Sequence, residues 1–358
     1  MKNALRAGVY FAGAVLFCAG ALALPADPSG PTCSVQAIHL EKPAYMIVDA
    51  VVRGERLLLP DYTSGLREID LGTGKDLRSV LPMGTQRGQV TGPQHLACGA
   101  ERCVVWGDRY LWLYYDADWR FLHHLSAMDS GAAGQPLLFE DRMVVFGVAR
   151  AEVAGGSGTP FLFVQYDDGA IVPLQEYQQS MPVPEIVKRI HFHGPSAGGL
   201  GTLADGGWIF VDPRSYSVFV FDNHDRLKRA WRGANPSFRA PNWGAYTPVH
   251  DASGRQYYSR WYLAQPQVKR PVVLGDDLVG IVVGLPDGAL RQRHVLDLYR
   301  LSGEPVALGV PIPGVRAGRL IVADADAGRL VLVGQETWEP SSTTIVWQVE
   351  VPSLESLK

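Results

Sequence analysis

One pattern returns six times along this chain. An apolar strand closes, most often on an aromatic residue and Asp, a tight turn follows, and a second apolar strand begins. The returns are Leu66–Asp70, Leu111–Asp116, Phe161–Asp167, Val218–Asp222, Val295–Leu301 and Ile345–Val351. Four end alike, at Ile69-Asp70, Tyr115-Asp116, Tyr166-Asp167 and Phe221-Asp222. A period of roughly 45–55 residues built only of strands is the signature of β-propeller blades.

Each of these outer strands is preceded by two others. Gln135–Ala149 and Arg270–Gly284 share Pro, two apolar residues, an acidic turn and an apolar run in the same order. With strands A to D counted from centre to rim, the blades are expected near 44–80, 94–125, 135–174, 199–232, 270–308 and 318–351. The sixth reaches strand C at Ile345–Val351, and the chain then almost ends. Cys33–Leu40, which has no other role, is expected to supply the missing strand. The fold class is therefore all-β: a six-bladed propeller closed by its N-terminal strand, which leaves no sheet edge open at the join. Runs such as Met143–Val148 need not alternate, because blade faces stack on both sides. Trp112, Phe163, Phe219 and Trp347 read as core.

The N-terminus reads as an export signal. Lys2 and Arg6 precede the apolar run Ala7–Leu22, and Ala21-Leu22-Ala23 offers a small-x-small cleavage site. Residues 1–23 are then the signal, 24–32 a Pro- and Gly-rich leader, and 33–358 the propeller domain. No later stretch is long and apolar enough to span a membrane. The formal charge of −3 falls further once Lys2 and Arg6 are removed, and no basic run offers a nucleic-acid surface. Export implies an oxidising compartment, periplasmic or extracellular. There Cys98 and Cys103, flanking a short turn, are expected to form a disulfide, while Cys33 has no partner.

Loop lengths carry the functional information. In a blade, the A-to-B and C-to-D turns lie on one face of the disc, and the B-to-C and D-to-A connections on the other. The first two kinds are short. The long connections are Leu81–Pro93, Arg150–Thr159, Gln175–Gly198, Gly233–Lys269, Leu285–Arg293 and Gln335–Thr343, so all are expected on one face. Binding residues on rigid scaffolds concentrate on such loops. The insertion 233–269 carries Phe238, Trp243, Tyr257 and Trp261 among its aromatic residues, which form either a small local core, a contact surface of the kind that anchors interfaces, or a degenerate seventh blade. Trp338 lies in the loop after strand B of the sixth blade. Charged residues end several B strands: Asp61, Asp108-Arg109 and Asp212-Pro213-Arg214. They either bind a polar ligand or cap loop backbones.

Catalytic signals are weak. In extended backbone, His191 and His193 point the same way and could share a metal. No third ligand is fixed by spacing, and Lys188 and Arg189 would repel a cation, so the pair suits an anion or partner contact equally. Gly194-Pro195-Ser196-Ala197-Gly198 has the letters of a nucleophile elbow but precedes a strand rather than a helix. Gly72-Thr73-Gly74-Lys75 sits in a C-to-D turn and lacks phosphate-loop spacing. No catalytic residue, metal or cofactor is assigned.

The repeated unit Val218-Phe-Val-Phe-Asp222, turn, Leu227-Lys-Arg-Ala-Trp231 resembles the six-bladed propellers of the NHL and TolB-like group over most of residues 33–351. That resemblance implies a family of scaffolds, binding proteins, lactonases and lyases. The leading expectation is a non-catalytic binding or scaffold protein whose loop-rich face takes a protein, peptide or cell-envelope ligand. The candidate contacts are Asp108, Arg109, His191, His193, Asp212, Arg214, Trp243, Tyr257, Trp261 and Trp338. The alternatives are a metal-assisted lyase or lactonase at the channel mouth, and a structural subunit of an envelope or extracellular assembly.

Overall fold

The computed structural model describes residues 31–107, 111–126, 130–132, 135–149, 161–174, 199–213, 215–240, 261, 263–288, 291–326, 328–336, 342–353 and 355–357. The expected signal, residues 1–23, lies outside them.

Strand β1 (Ser34–His39) comes first and belongs to the last blade. Blade one is β2 (Val51–Arg53), β3 (Arg56–Asp61), β4 (Gly65–Asp70) and β5 (Asp76–Leu81). Blade two is β6 (His95–Cys98), β7 (Arg102–Gly107), β8 (Leu111–Asp116) and β9 (Phe121–Ser126). Blade three holds β10 (Ser130–Ala132), β11 (Leu137–Leu138), β12 (Arg142–Ala149), β13 (Phe161–Tyr166) and β14 (Ile171–Pro173). Blade four is β15 (Gly199–Thr202), β16 (Trp208–Asp212), β17 (Ser217–Phe221) and β18 (Leu227–Arg232). Blade five is β19 (Gln267–Val273), β20 (Leu278–Pro286), β21 (Gln292–Arg300) and β22 (Pro305–Ala317). Blade six is β23 (Arg319–Asp326), β24 (Arg329–Gln335) and β25 (Thr344–Glu350). Each sheet is an antiparallel meander, and β1 pairs with β25 to complete the sixth. The chain is a six-bladed β-propeller closed by its N-terminal strand, as the repeat predicts.

Two details depart from the sequence reading. Blade three gains β10, which pairs with the far end of β12 through Ser130 and Ala149. Blade five is longer than expected, because β22 continues past its bulges to Ala317. Gly318 alone then joins blade five to blade six, and the Leu285–Arg293 loop shrinks to residues 287–291.

Packing explains the uninterrupted apolar runs. Buried side chains form one cluster at each of the six blade-to-blade interfaces. Along β3, Leu57 and Leu59 face blade six while Leu58 faces blade two. Neighbouring residues thus leave water on opposite sides of the same strand. Trp112, Phe163, Phe219 and Trp347 are all core. Cys33 is buried in the blade five–six cluster, where burial pushes its thiol up to about 12. It is an inert packing residue rather than a reactive thiol.

The recurring Asp has a backbone role. Asp70 Oδ1 accepts the Gly72 and Thr73 amides at 3.1 and 2.9 Å. Asp116 Oδ1 accepts those of Asp118 and Arg120, and Asp222 Oδ1 those of His224 and Arg226. The Arg226 amide heads the contacts that hold the Asp222 carboxyl well below the usual range. Each Asp closes the C-to-D turn while the residue before it is buried. In blade three, Asp167 instead pairs with Arg102 of blade two at 2.8 Å, and Asp168 caps the turn. Arg142 reaches Asp225 of blade four in the same manner. Gly74, at φ +72°, lies so close to the His39 carbonyl that a Cβ would collide with it. Its loop follows the needs of a turn packed on β1.

Cys98 and Cys103 form the expected disulfide, across directly paired positions of the β6–β7 hairpin. The loop is so short that replacing both with Ser is expected to cost about 2 kcal/mol. Urea unfolding under oxidising conditions measures it; a loss above 4 kcal/mol would show that the bridge holds more than its hairpin.

Candidate functional site

Strand order separates two faces. On one, the A-to-B and C-to-D turns of the described blades each span at most five residues. On the other, strand ends are left to be joined by residues 82–94, 150–160, 174–198, 233–266 and 336–343.

The ends of the 233–266 connection are built into the core. The Gly233 amide donates to the Tyr216 carbonyl at 2.8 Å, and the Ala234 amide to Tyr299 Oη at 2.9 Å. Asn235 is buried and donates to both carboxylate oxygens of Asp297, at 2.7 and 2.9 Å. Asp297 is itself fully buried and also accepts Tyr216 Oη at 2.6 Å and the Gly309 amide at 2.8 Å. Phe238 packs edge-on against Tyr216. At the other end, Trp261 is 9% and Leu263 2% exposed. The backbone then enters β19 at Gln267, so the last three residues of the expected insertion are strand. Of its aromatic residues, Phe238 and Trp261 pack inward, while Trp243 and Tyr257 lie outside the described residues.

The remaining sequence candidates separate in the same way. Asp212 ends β16 with no exposed surface, beneath the face rather than on it. Asp61, its counterpart in blade one, caps the following loop through Thr63 and Ser64 and pairs with Arg67 at 3.1 Å. Burial opposes its ionisation, but these donors outweigh that and hold the carboxyl below the usual range. Asp108, Arg109, His191, His193, Arg214 and Trp338 lie outside the described residues. Among the described residues, no cluster of His, Cys, Asp and Glu could hold a metal ion.

A second polar set, missed by the sequence reading, lines the axis. Strand A of each blade begins at the loop-rich face, and residues of this strand, or just before it, from blades one, three, four, five and six face a central cavity. Val48, Asp49, Gln135, Gly199, Lys269, Arg270, Ile321 and Val322 line it, leaving room for about one water-sized molecule. Asp49 Oδ2 accepts the Leu96 amide at 3.0 Å and lies 3.5 Å from His95 Nδ1. Burial raises the Asp49 carboxyl, against the pull of His95. Gln135 Nε2 donates to the Ala50 and Leu96 carbonyls, both at 3.2 Å, joining blade three to blades one and two. Arg319 Nη1 donates to the Ile47 carbonyl at 3.0 Å, joining blade six to blade one. The signal in the sequence was positional: a polar residue opens strand A in blade after blade, while the apolar repeat draws attention to strands B and C.

Neither a known protein family nor a characterised protein sequence matches the chain. Among solved structures it is similar to a Bacteroides fragilis protein whose name assigns it to export. The identity is 10%, the alignment covers 90% of this chain and 96% of that one, and the TM-score is 0.57. The RRP9 WD40 repeats align over 90% of this chain and 99% of theirs, at 10% identity and a TM-score of 0.47. BamB from Moraxella catarrhalis aligns over 83% and 68%, at 15% identity and a TM-score of 0.33. At such identities a likeness speaks for the fold alone. The resemblance to NHL and TolB-like propellers accordingly holds as six-bladed architecture. Among the described residues, no helix is long and apolar enough to cross a membrane.

Proposed function

We propose that the chain is an exported propeller that captures a protein, peptide or cell-envelope partner on its loop-rich face, without catalysing a reaction. The observation that carries this is the asymmetry of the disc. One face is closed by short turns, Asp caps and inter-blade ion pairs. The other anchors the two ends of a long aromatic-bearing connection in the core. Anchoring a segment rigidly at both ends lowers the ordering cost of binding. The basic-then-apolar N-terminus supports export, and the Cys98–Cys103 bridge suits an oxidising compartment.

The test replaces residues 241–260 with a Gly/Ser stretch of equal length and keeps Gly233–Ala240 and Trp261–Leu263. The variant is expected to unfold cooperatively within about 1 kcal/mol of the parent, because the core contacts remain. Its retention of partner from the native envelope fraction is expected to fall at least tenfold. Retention equal to the parent's would overturn this reading.

A further inference from the structure

The chain is acidic overall, but one strand of its rim is not. Strand D of blade four, β18, reads Leu-Lys-Arg-Ala-Trp-Arg, and its Lys228, Arg229 and Arg232 are all exposed. Arg226 precedes them in the turn and Arg239 follows, both exposed. Five cations thus fall within fourteen residues that hold no acid. Arg226 and Lys228 share the Asp222 carboxylate, at 3.3 and 3.2 Å. Among the described residues no carboxylate pairs with Arg229, Arg232 or Arg239.

Charge on a rim strand can guard an open edge against self-pairing. The other blades do not use it so. Strands β9, β14 and β1, at the rims of blades two, three and six, carry no Lys, Arg, Asp or Glu. In blade one, Asp76 and Arg78 of β5 pair with Arg67 and Glu68. In blade five, Arg316 of β22 pairs with Asp287. Unpaired positive charge on a described rim strand therefore belongs to blade four.

The backbone beside these cations is open. Among the described strands, β18 pairs with β17 alone. The bond from the Gly233 amide to the Tyr216 carbonyl sets the phase of that ladder, so the amides and carbonyls of Ala230 and Arg232 turn outward. Trp231 packs on Tyr299 of blade five, with ring centroids 4.6 Å apart, and holds the strand in place.

We propose that the outer edge of blade four takes an extended acidic segment of a partner protein as a fifth strand. The segment's backbone bonds to Ala230 and Arg232, and its carboxylates meet Lys228, Arg229 and Arg232. Backbone pairing supplies affinity, and the charges select the partner. The same cations repel a second copy of β18. Side chains alternate along a strand, so Arg229 and Arg232 stand on opposite faces, and the segment needs acids on both. This rim is a second surface, independent of what the loop-rich face captures.

The probe is an acetylated, amidated peptide of repeated Val-Glu-Glu, about ten residues long to span one strand. Calorimetry with the purified protein is expected to show saturable binding that weakens as salt is raised. Hydrogen exchange of the unmodified protein reads the geometry: saturating peptide should slow the Ala230 and Arg232 amides at least tenfold. Arg229→Gln combined with Arg232→Gln is expected to keep the parent's urea midpoint, since both side chains are exposed, and to bind at least tenfold more weakly. The same peptide N-methylated at each Val keeps its charge but cannot pair as a strand, and should lose as much. No saturable binding, equal binding by the double variant or by the N-methylated peptide, or exchange unchanged at those two amides would each overturn the proposal. Binding to phosphatidylglycerol vesicles in place of the peptide would assign the charge to a membrane and overturn it too.

Discussion

A chain lacking residues 31–40 is expected to lose its cooperative unfolding transition. Those residues hold β1, whose six positions pair with β25 from Ser34–Glu350 to His39–Ile345. Cys33 is buried against blades five and six, and Ile38, four positions beyond Ser34, is buried against blades six and one. Two further bonds fix the ends: the Cys33 amide to the Pro311 carbonyl at 3.1 Å, and the Leu40 amide to the Thr344 carbonyl at 3.3 Å. Removing the strand strips both clusters and leaves β25 as an open edge, which invites pairing with other chains. Losing two buried apolar side chains and a strand ladder costs on the order of 5 kcal/mol, comparable with the whole stability of many domains. Urea unfolding followed by tryptophan fluorescence should show a broad, early transition. Light scattering should show association. Ile38→Asp tests the same joint without shortening the chain and is expected to cost about 3 kcal/mol, by burying an unpaired polar group. A truncated chain that unfolds at the parent's urea midpoint would mean that the ring is held shut elsewhere.

That joint was legible in the sequence because it is a matter of counting. A repeat of four strands that runs out after three, with an unassigned strand at the other end, admits few solutions. The blades were legible for a related reason: burial on both faces writes long apolar runs, and Asp returns at the C-to-D turns of blades one, two and four, where it caps their amides. The polar axis was not. Asp49, Gln135, Lys269 and Arg319 make no local pattern, and their meaning arises only when distant strand starts meet. The same holds at the edge of the large insertion. In the sequence Phe238 and Trp261 suit a local core or a contact surface equally with Trp243 and Tyr257, because composition does not distinguish an anchor from what it anchors. Only contacts with Tyr216 and the burial of Leu263 separate them. Asp61 shows the limit from the other side: a charge ending strand B suits a ligand as well as a loop cap, and distances to Thr63 and Arg67 decide for the cap.

The second large effect is expected at Asp297. Its carboxylate is fully buried between blades four and five and serves three donors at once: Tyr216 Oη, the Asn235 amide group and the Gly309 amide. Asp297→Ala leaves the Asn235 and Gly309 donors without this acceptor, and Tyr216 with Tyr299 alone, in a region closed to water. At about 1–3 kcal/mol for each stranded donor, less what relaxation recovers, the loss should be about 3–5 kcal/mol. The Gly233–Asn235 anchor should loosen with it, so hydrogen exchange at the Ala234 and Gly233 amides should quicken by more than the global loss alone explains. Asp297→Asn keeps one acceptor oxygen and should cost less. It also tests the charge. Burial raises the Asp297 carboxyl, although its three donors pull it down. For a raised acid, the stabilising contribution is full below the ordinary value of 3.8 and is lost as pH rises through the raised one. The parent should therefore lose stability on that rise by an amount the Asn variant does not share. Urea midpoints of the two proteins, compared from acid to neutral pH, measure the difference. Parallel profiles would mean that the donors, not burial, govern this carboxyl.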